Sequence, residues 1–410
     1  MEATSFPKDK IKILLLEGIH KNAVETFKKF GYENVTLLKT ALPEEELIEA
    51  LKGVHMVGLR SKTQMTAKVI KSAEKLMAIG CFCIGTNQVD LETAEKLGIP
   101  VFNSPHSNTR SVAELVIAEC VMLMRRIPER NSSAHRGEWL KDAKNSYELR
   151  GKTLGIIGYG NIGSQVSILA ESFGMKVIFY DTALKLPLGN AANADFNNLL
   201  ENSDVVTLHV PAEESTKNLM DKAAIQKIKK GGILINLSRG NVVDIDALKE
   251  ALENGNLRGA AIDVFPLEPK SKEERFTSPL QGLENVILTP HIGGSTQEAQ
   301  ENIGIDAASK LTFFMDQGKT VGCKTIPELN LPKPKNRKTH RLLHIHQNKP
   351  GILSKINTIL SDMNVNILGQ FLSTNPTIGY VVLDISADVS DEVLVKMKEV
   401  DGTINARLLY

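Results

Sequence analysis

The chain has 410 residues, 42% hydrophobic and 24% charged, which is enough for two or three domains, each with its own core. Its 49 Lys and Arg nearly balance 48 Asp and Glu, which excludes an overall field for gathering nucleic acid or anionic lipid. Four cysteines, Cys81, Cys83, Cys120 and Cys323, give no disulfide framework at this size, and the C-x-C pair is too tight for the usual zinc spacings, so buried thiols and no metal are expected.

Residues 1–10 lack the basic start and apolar stretch of a signal peptide. The longest apolar helix-like segment, 115–124, is too short for a bilayer and contains Glu119, so no membrane partner and a cytoplasmic address are expected. In the first hundred residues, β-rich runs at 13–16, 35–38, 56–59, 76–79 and 100–102 alternate with helical stretches, the pattern of a parallel sheet with helices outside. Residues 111–124 have apolar positions at helical spacing and lead into a second α/β domain.

There an apolar strand runs into Gly158-Tyr159-Gly160-Asn161-Ile162-Gly163, and the next apolar run, 176–180, ends at Asp181. Gly158 permits the tight turn, Gly160 lets backbone approach a pyrophosphate, and Gly163 allows close packing of the following helix, whose free N–H groups face the phosphates. A carboxylate about 20 residues on accepts bonds from ribose hydroxyls and repels the extra phosphate of NADP. The pattern therefore points to NAD.

Four more strands, 204–210, 232–237, 260–264 and 286–288, each end on polar residues: His209, the pair Ser238 and Arg239, Asp263, and His291. The carboxyl edge of an open parallel sheet is where ligands sit, so one cleft is expected to collect a carboxylate, a guanidinium and two imidazoles beside the dinucleotide. His291 is the expected base for a hydroxyl proton as hydride leaves for the nicotinamide. Glu268 is expected to hold the other ring nitrogen and favour the imidazolium, and Arg239 to grip a substrate carboxylate and polarise the developing carbonyl. Each has a plainer alternative: a satisfied strand-end histidine, a loop carboxylate, a turn-capping arginine, and for Asp263 a solvated acid. His209 reads as a cofactor-side packing or hydrogen-bonding residue. Arg60 and Ser61 at a strand end, and Asn108 opening the long helix, are either anion sites or an ordinary surface arginine and helix cap.

A helix over 298–314 is expected to return the chain to the first domain. Composition then changes at 327–341, where prolines 327, 332 and 334 precede or accompany five basic residues between 333 and 341. That marks a linker. Beyond it, strand 341–347, helix with Ile352, Leu353, Ile356, Ile359, Leu360 and Met363 on one face, strands 365–373 and 380–387, helix 391–400 and strand 403–409 give βαββαβ, a ferredoxin-like order. The expected fold is α/β: two Rossmann-like or flavodoxin-like doubly wound parallel-sheet domains, 1–107 with 296–332 and 108–295, a linker at 333–338, and a ferredoxin-like module at 339–410.

A glycine fingerprint followed in order by Arg239, Glu268 and His291 resembles the D-isomer-specific 2-hydroxyacid dehydrogenases. The strings IGCFCIGTNQVD, NTRSVAELVIAE, LGIIGYGNIGSQ, AAIDVFPLEP, LTPHIGGSTQEAQENIG and terminal ARLLY resemble its short, bacterial, serine-regulated branch over nearly the whole chain. The resemblance implies oxidation of 3-phosphoglycerate to 3-phosphooxypyruvate with NAD, opening serine synthesis, with reduction of 2-oxoglutarate as a side activity. It also implies NAD contacts from Asn161, Ile162, Asp181, Leu237, Ser238, Arg239, Asp263, His291, Ile292, Gly293 and Gly294, and substrate-phosphate contacts from Arg60, Ser61 and Asn108. The last module resembles an ACT domain, which implies L-serine binding at His346 and Asn348 with Asn366 from a facing subunit, and a homotetramer. His344 and His346 share a strand face, as a metal pair would, but no third ligand is evident. The alternatives are another NAD-dependent D-2-hydroxyacid dehydrogenase, which would not be expected to carry an ACT tail, and a non-catalytic NAD-sensing scaffold.

Overall fold

The computed structural model describes residues 6–269, 273–332, 339–386 and 390–410. The expected linker at 333–338, and residue 387 of an expected strand, lie outside the described residues. The chain divides into two compact units, Met1–Ser107 with Gln300–Tyr410, and Asn108–Ala299.

In the first unit, β1 (Ile13–Leu15), β2 (Val35–Leu37), β3 (Met56–Leu59), β4 (Ala78–Cys81) and β5 (Val101–Asn103) form a parallel sheet in the order β2-β1-β3-β4-β5, the flavodoxin-like arrangement. β4 sits two residues beyond the 76–79 run, because Leu76 closes the preceding turn by donating its N–H to Ala73. One face buries Leu14, Val57 and Ile79 among helices. The other buries Ile13, Leu15 and Phe102 against Ile303, Ala307, Leu311 and Phe314 of helix Gln297–Gln317, which extends past both ends of the expected helix.

The same unit carries the C-terminal antiparallel sheet of β13 (Thr339–Gln347), β14 (Ile367–Thr374), β15 (Ile378–Ser386) and β16 (Thr403–Leu409), ordered β14-β15-β13-β16 as a ferredoxin-like βαββαβ unit requires. One face packs on helices through Ile352, Ile356, Leu360, Val393 and Met397. The other closes over Ile326 and Leu331 with Leu343, Ile345 and Tyr380. Because both faces are covered, β13 is buried over six consecutive residues, 341–346, and shows no alternation there, whereas edge strand β14 alternates.

The second unit holds β6 (Thr153–Ile157), β7 (Lys176–Tyr180), β8 (Ala192–Asn193), β9 (Val205–Leu208), β10 (Gly232–Asn236), β11 (Leu257–Ile262) and β12 (Val286–Leu288) in the order β12-β11-β10-β9-β6-β7-β8, all parallel. This is the doubly wound dinucleotide order, reversing between β6 and β9. Helices Thr109–Met124 and Asn161–Ser172 cover one face, and Lys222–Lys227 and Ile245–Glu253 the other. The two-residue β8 has no counterpart in the sequence expectations; it is too short for a periodic signal.

Candidate active site

The reversal point is built by two strand ends meeting. Gly158 follows β6 with φ 93°, and a Cβ there would lie 2.5 Å from the carbonyl oxygen of His209, which follows β9. Gly163 packs so closely on the carbonyl of Gly158 that any side chain would collide with it. By contrast a Cβ on Gly160, the N-cap of helix Asn161–Ser172, would meet nothing within 4 Å. The space at this helix N-terminus is therefore a cradle whose lining is backbone, and it fits a pyrophosphate. Asn161, exposed, and Ile162, half-buried, open the helix. Asp181, just past β7, accepts the Tyr159 N–H and the Ala183 N–H, both at 2.8 Å, and so is fixed in orientation while its carboxylate keeps further acceptor capacity for a ribose diol.

Beyond β11, Asp263 ties the loop that carries His291 together. It is 1% exposed, and its carboxylate accepts the Thr289 hydroxyl at 2.6 Å and the N–H groups of Ile292 and Gly293, each at 2.8 Å, while its carbonyl accepts the His291 N–H at 2.8 Å. These bonds hold His291 in the left-handed region at φ 55°, costly for a residue with a Cβ and sustained only by such over-determination. Gly294 packs its backbone against the side chain of Asn108.

His291 Nδ1 lies 2.8 Å from Glu268 Oε2, and Glu268 Oε1 accepts the Phe265 N–H at 3.1 Å. The Glu268 hydrogen bond holds the imidazole pKa above its ordinary value, outweighing burial. Burial alone would raise Glu268, but the His291 ring, the Phe265 N–H and the Arg239 charge together bring it below the usual carboxylate range. The pair therefore leaves Nε2 as the ring nitrogen that Glu268 does not engage. Gly240 packs its Cα against the Phe265–Pro266 peptide, where any side chain would overlap, so Arg239 is carried up to the Glu268 loop. The Arg239 guanidinium donates to the Ser238 carbonyl at 2.7 Å, and buried Asn236 accepts both the Ser238 N–H and hydroxyl and donates to the Arg239 carbonyl. Leu237 is buried within this turn.

His209 is half-buried, its Nε2 3.0 Å from the Thr207 hydroxyl, and burial of the ring pushes its pKa down to about 3, so it is a neutral ring. Its Nδ1 and the Asn108 Oδ1 are buried without a hydrogen-bond partner among the described residues. An orphaned acceptor or donor of this kind suits a bound ligand.

In the first unit, half-buried Arg60 and exposed Ser61 follow β3. Sequence reasoning missed what shapes their loop: Glu17, at φ 60°, accepts the N–H groups of Arg60, Lys62 and Thr63 at 3.1, 3.0 and 2.9 Å, and Gln88 Nε2 donates to the Arg60 carbonyl at 2.6 Å. It also missed Glu119, whose buried carboxyl has no hydrogen-bond partner among the described residues and is pushed up to about 8 by burial and by Asp263, leaving it protonated at neutral pH. The sequence showed Glu119 only as a charge in an apolar run.

In the ferredoxin-like module, His346 is 3% exposed with its ring against Gly379, and its Nδ1 is 3.3 Å from that of His344. Burial lowers both, His344 to about 4. Asn348 and Asn366 are exposed. Among the described residues no cluster of three or more His, Cys, Asp or Glu with metal-site geometry occurs, and no helix is long and apolar enough to cross a membrane.

A family model described as the D-isomer specific 2-hydroxyacid dehydrogenase NAD-binding domain matches residues 117–293, and one for an AHAS small subunit-like ACT domain matches 342–405. The chain is 57% identical over 407 residues to the D-3-phosphoglycerate dehydrogenase of Haemophilus influenzae, with 99% of each chain covered. It is 56% identical over 413 residues to that of Escherichia coli strain K12, with 100% of each covered. Among solved structures, a D-2-hydroxyisocaproate dehydrogenase matches with TM-score 0.70 at 27% identity, covering 77% of this chain and all of that one. The D-lactate dehydrogenase of Aquifex aeolicus, complexed with NAD and lactic acid, matches with TM-score 0.66 at 28% identity over the same shares. The chain therefore belongs to the D-isomer-specific 2-hydroxyacid dehydrogenases, in the ACT-bearing phosphoglycerate dehydrogenase branch, and is an NAD-dependent oxidoreductase acting on the CH–OH group of a 2-hydroxy acid.

Proposed function

We propose that this protein oxidises 3-phosphoglycerate to 3-phosphooxypyruvate and opens L-serine synthesis in the cytoplasm. The observation that carries the chemistry is the 2.8 Å Glu268–His291 pair on a loop clamped by Asp263. Bound NAD supplies the hydride acceptor. His291 Nε2 takes the hydroxyl proton, and Glu268 stabilises the imidazolium that results. Arg239 holds the carboxylate beside the reacting carbon and stabilises charge on the developing carbonyl oxygen. Asp181 reads the adenosine ribose and favours NAD over NADP. The names of the Haemophilus influenzae and Escherichia coli relatives support the substrate, and Arg60, Ser61 and Asn108 are assigned to its phosphate.

In this reading residues 1–107 and 296–332 bind substrate, 108–295 bind NAD, and the ACT module at 339–410 senses L-serine through His346, Asn348 and a partner protomer's Asn366 in a homotetramer. Reduction of 2-oxoglutarate to 2-hydroxyglutarate is the accompanying side activity. The test is NADH formation by purified protein at alkaline pH. Turnover of 3-phosphoglycerate is the expected result; turnover of glycerate with none of 3-phosphoglycerate would overturn the substrate assignment. Calorimetry with L-serine that shows no heat of binding would remove the sensor assignment.

A further inference from the structure

Asn348, assigned above to the amino-acid site, is bound at both ends to the tip of the hairpin joining β14 to β15. Its backbone N–H donates to the Thr377 carbonyl at 2.9 Å and its side-chain Nδ2 to the Asn375 carbonyl at 2.7 Å. The tip is internally braced, with Asn375 Oδ1 accepting the N–H groups of Thr377 and Ile378 at 3.0 and 2.6 Å. Its outward groups converge on one atom of another module: Asn375 Nδ2, at 3.2 Å, and the Thr377 hydroxyl both donate to Oε1 of Glu95. Among the described residues Glu95 has no cation within ion-pair distance, although Glu92 on the same helix pairs with Lys96. The helix Leu91–Lys96 that carries Glu95 is followed by Gly98, where a Cβ would lie 3.0 Å from Ile404 and 3.5 Å from Ile345 of the ACT sheet.

That helix is joined at its other end to the Arg60 loop. Its N-cap, Asp90, donates its backbone N–H to the Met65 carbonyl at 2.9 Å, and Met65 donates to the Gln88 carbonyl at 2.8 Å. Gln88 in turn donates its side-chain Nε2 to the Arg60 carbonyl. We propose that Glu95 is the coupling residue between the amino-acid site and the substrate-phosphate loop, through the sequence Asn348, Asn375 with Thr377, Glu95, helix Leu91–Lys96, Gln88 and Arg60. An amino-acid carboxylate arriving beside Asn348 competes for the Nδ2–H now given to Asn375. The hairpin tip then moves or loosens, the two bonds to Glu95 change with it, and the helix transmits the change to the residues that hold Arg60. By linkage, substrate held at Arg60 acts back on the amino-acid site.

This inference rests on the serine reading above, so the experiment separates the two. Full-length wild type, Glu95→Ala and Glu95→Gln are assayed for NADH formation with and without L-serine, and serine binding is measured by calorimetry. Expected for Glu95→Ala is turnover without serine within about twofold of wild type, retained binding, and residual activity at saturating serine raised about threefold or more, a loss within the range of allosteric couplings. Glu95→Gln keeps an acceptor oxygen and should keep most of the inhibition. A Glu95→Ala enzyme inhibited as strongly as wild type overturns the coupling. Hydrogen exchange tests it without any ligand: Asn348→Ala should speed amide exchange at residues 60–65 in the wild-type background and add nothing in the Glu95→Ala background. Unchanged exchange overturns the bridge even if serine binds. If serine fails to bind wild type, the ligand assignment falls and the exchange result alone decides the bridge.

Discussion

Two acid–base pairs in this chain have similar contact distances and opposite surroundings. Glu268–His291 lies on loops of the second unit, with side chains 36% and 52% exposed, next to backbone held at positive φ. Arg341–Asp384 lies in the C-terminal sheet of the first unit, 1% and 9% exposed, as directly opposed residues of β13 and β15. Arg341 donates to both Asp384 oxygens at 2.7 and 2.9 Å and to the carbonyls of Gln317 and Pro332, each at 3.0 Å, so four of its five N–H groups are satisfied. The first pair, in the proposed function, exchanges a proton and needs access; the second caps a helix end and fixes the ACT sheet on its support, and needs dryness. Distance alone does not separate a reactive pair from a structural one. Burial and the count of satisfied donors do.

The sharpest way to break this comparison is to remove one member of each pair. His291→Asn should lower turnover by about 10²–10⁴-fold, the usual contribution of a general base, with NAD affinity and unfolding midpoint little changed. Turnover retained within about threefold would mean that another group takes the proton. Asp384→Ala leaves an uncompensated buried guanidinium and should cost about 3–5 kcal/mol in denaturant unfolding, while folded molecules turn over at nearly the wild-type rate. An unaltered unfolding midpoint would show that the buried pair contributes nothing to holding the sheet.

Smaller effects sharpen the same contrast. Gly240→Ala forces a methyl against the Phe265–Pro266 peptide. It should cost about 1–3 kcal/mol as overpacking and also slow turnover, because Arg239 and the Glu268 loop share that contact; a stability loss without a kinetic one would detach Arg239 from the dyad. Glu268→Gln removes the group that raises the His291 pKa, so the rising limb of the pH–rate profile for alcohol oxidation should move to lower pH. A limb that stays in place would mean it reports a different group. The raised imidazole also stabilises the fold only while protonated: the contribution is present below the unfolded histidine value and lost as pH rises through the folded one. Its exposure makes that contribution small.

Much of the second unit was legible in the sequence because its chemistry is local. Gly158 and Gly163 each answer a steric demand set by a neighbour a few residues away or by the adjoining strand, Gly160 leaves the helix N-terminus open, and Arg239, Glu268 and His291 each follow a strand whose apolar run is plain. Glu17 was not legible, because an acid after an apolar run shows no sign that it will organise a loop 43 residues later. Arg341 read only as the last of a run of basic residues and the start of a strand, since a charge gives no sequence signal of the carboxylate and carbonyls that make its complete burial tolerable. Asp263 was visible as a strand-end acid, but its three loop donors were not.

By itself, then, the sequence determined the succession of parallel and antiparallel sheets, the dinucleotide turn and the residue types of the acid–base centre, because periodicity, glycine and strand ends act over short stretches of chain. Only the tertiary structure decided which charged pairs stay accessible and which are buried supports, and which hydrogen bonds join Asn348 to Glu95 and the Asp90 helix cap to the Arg60 loop. Those outcomes depend on desolvation and on partners brought together from distant positions, which no local pattern encodes.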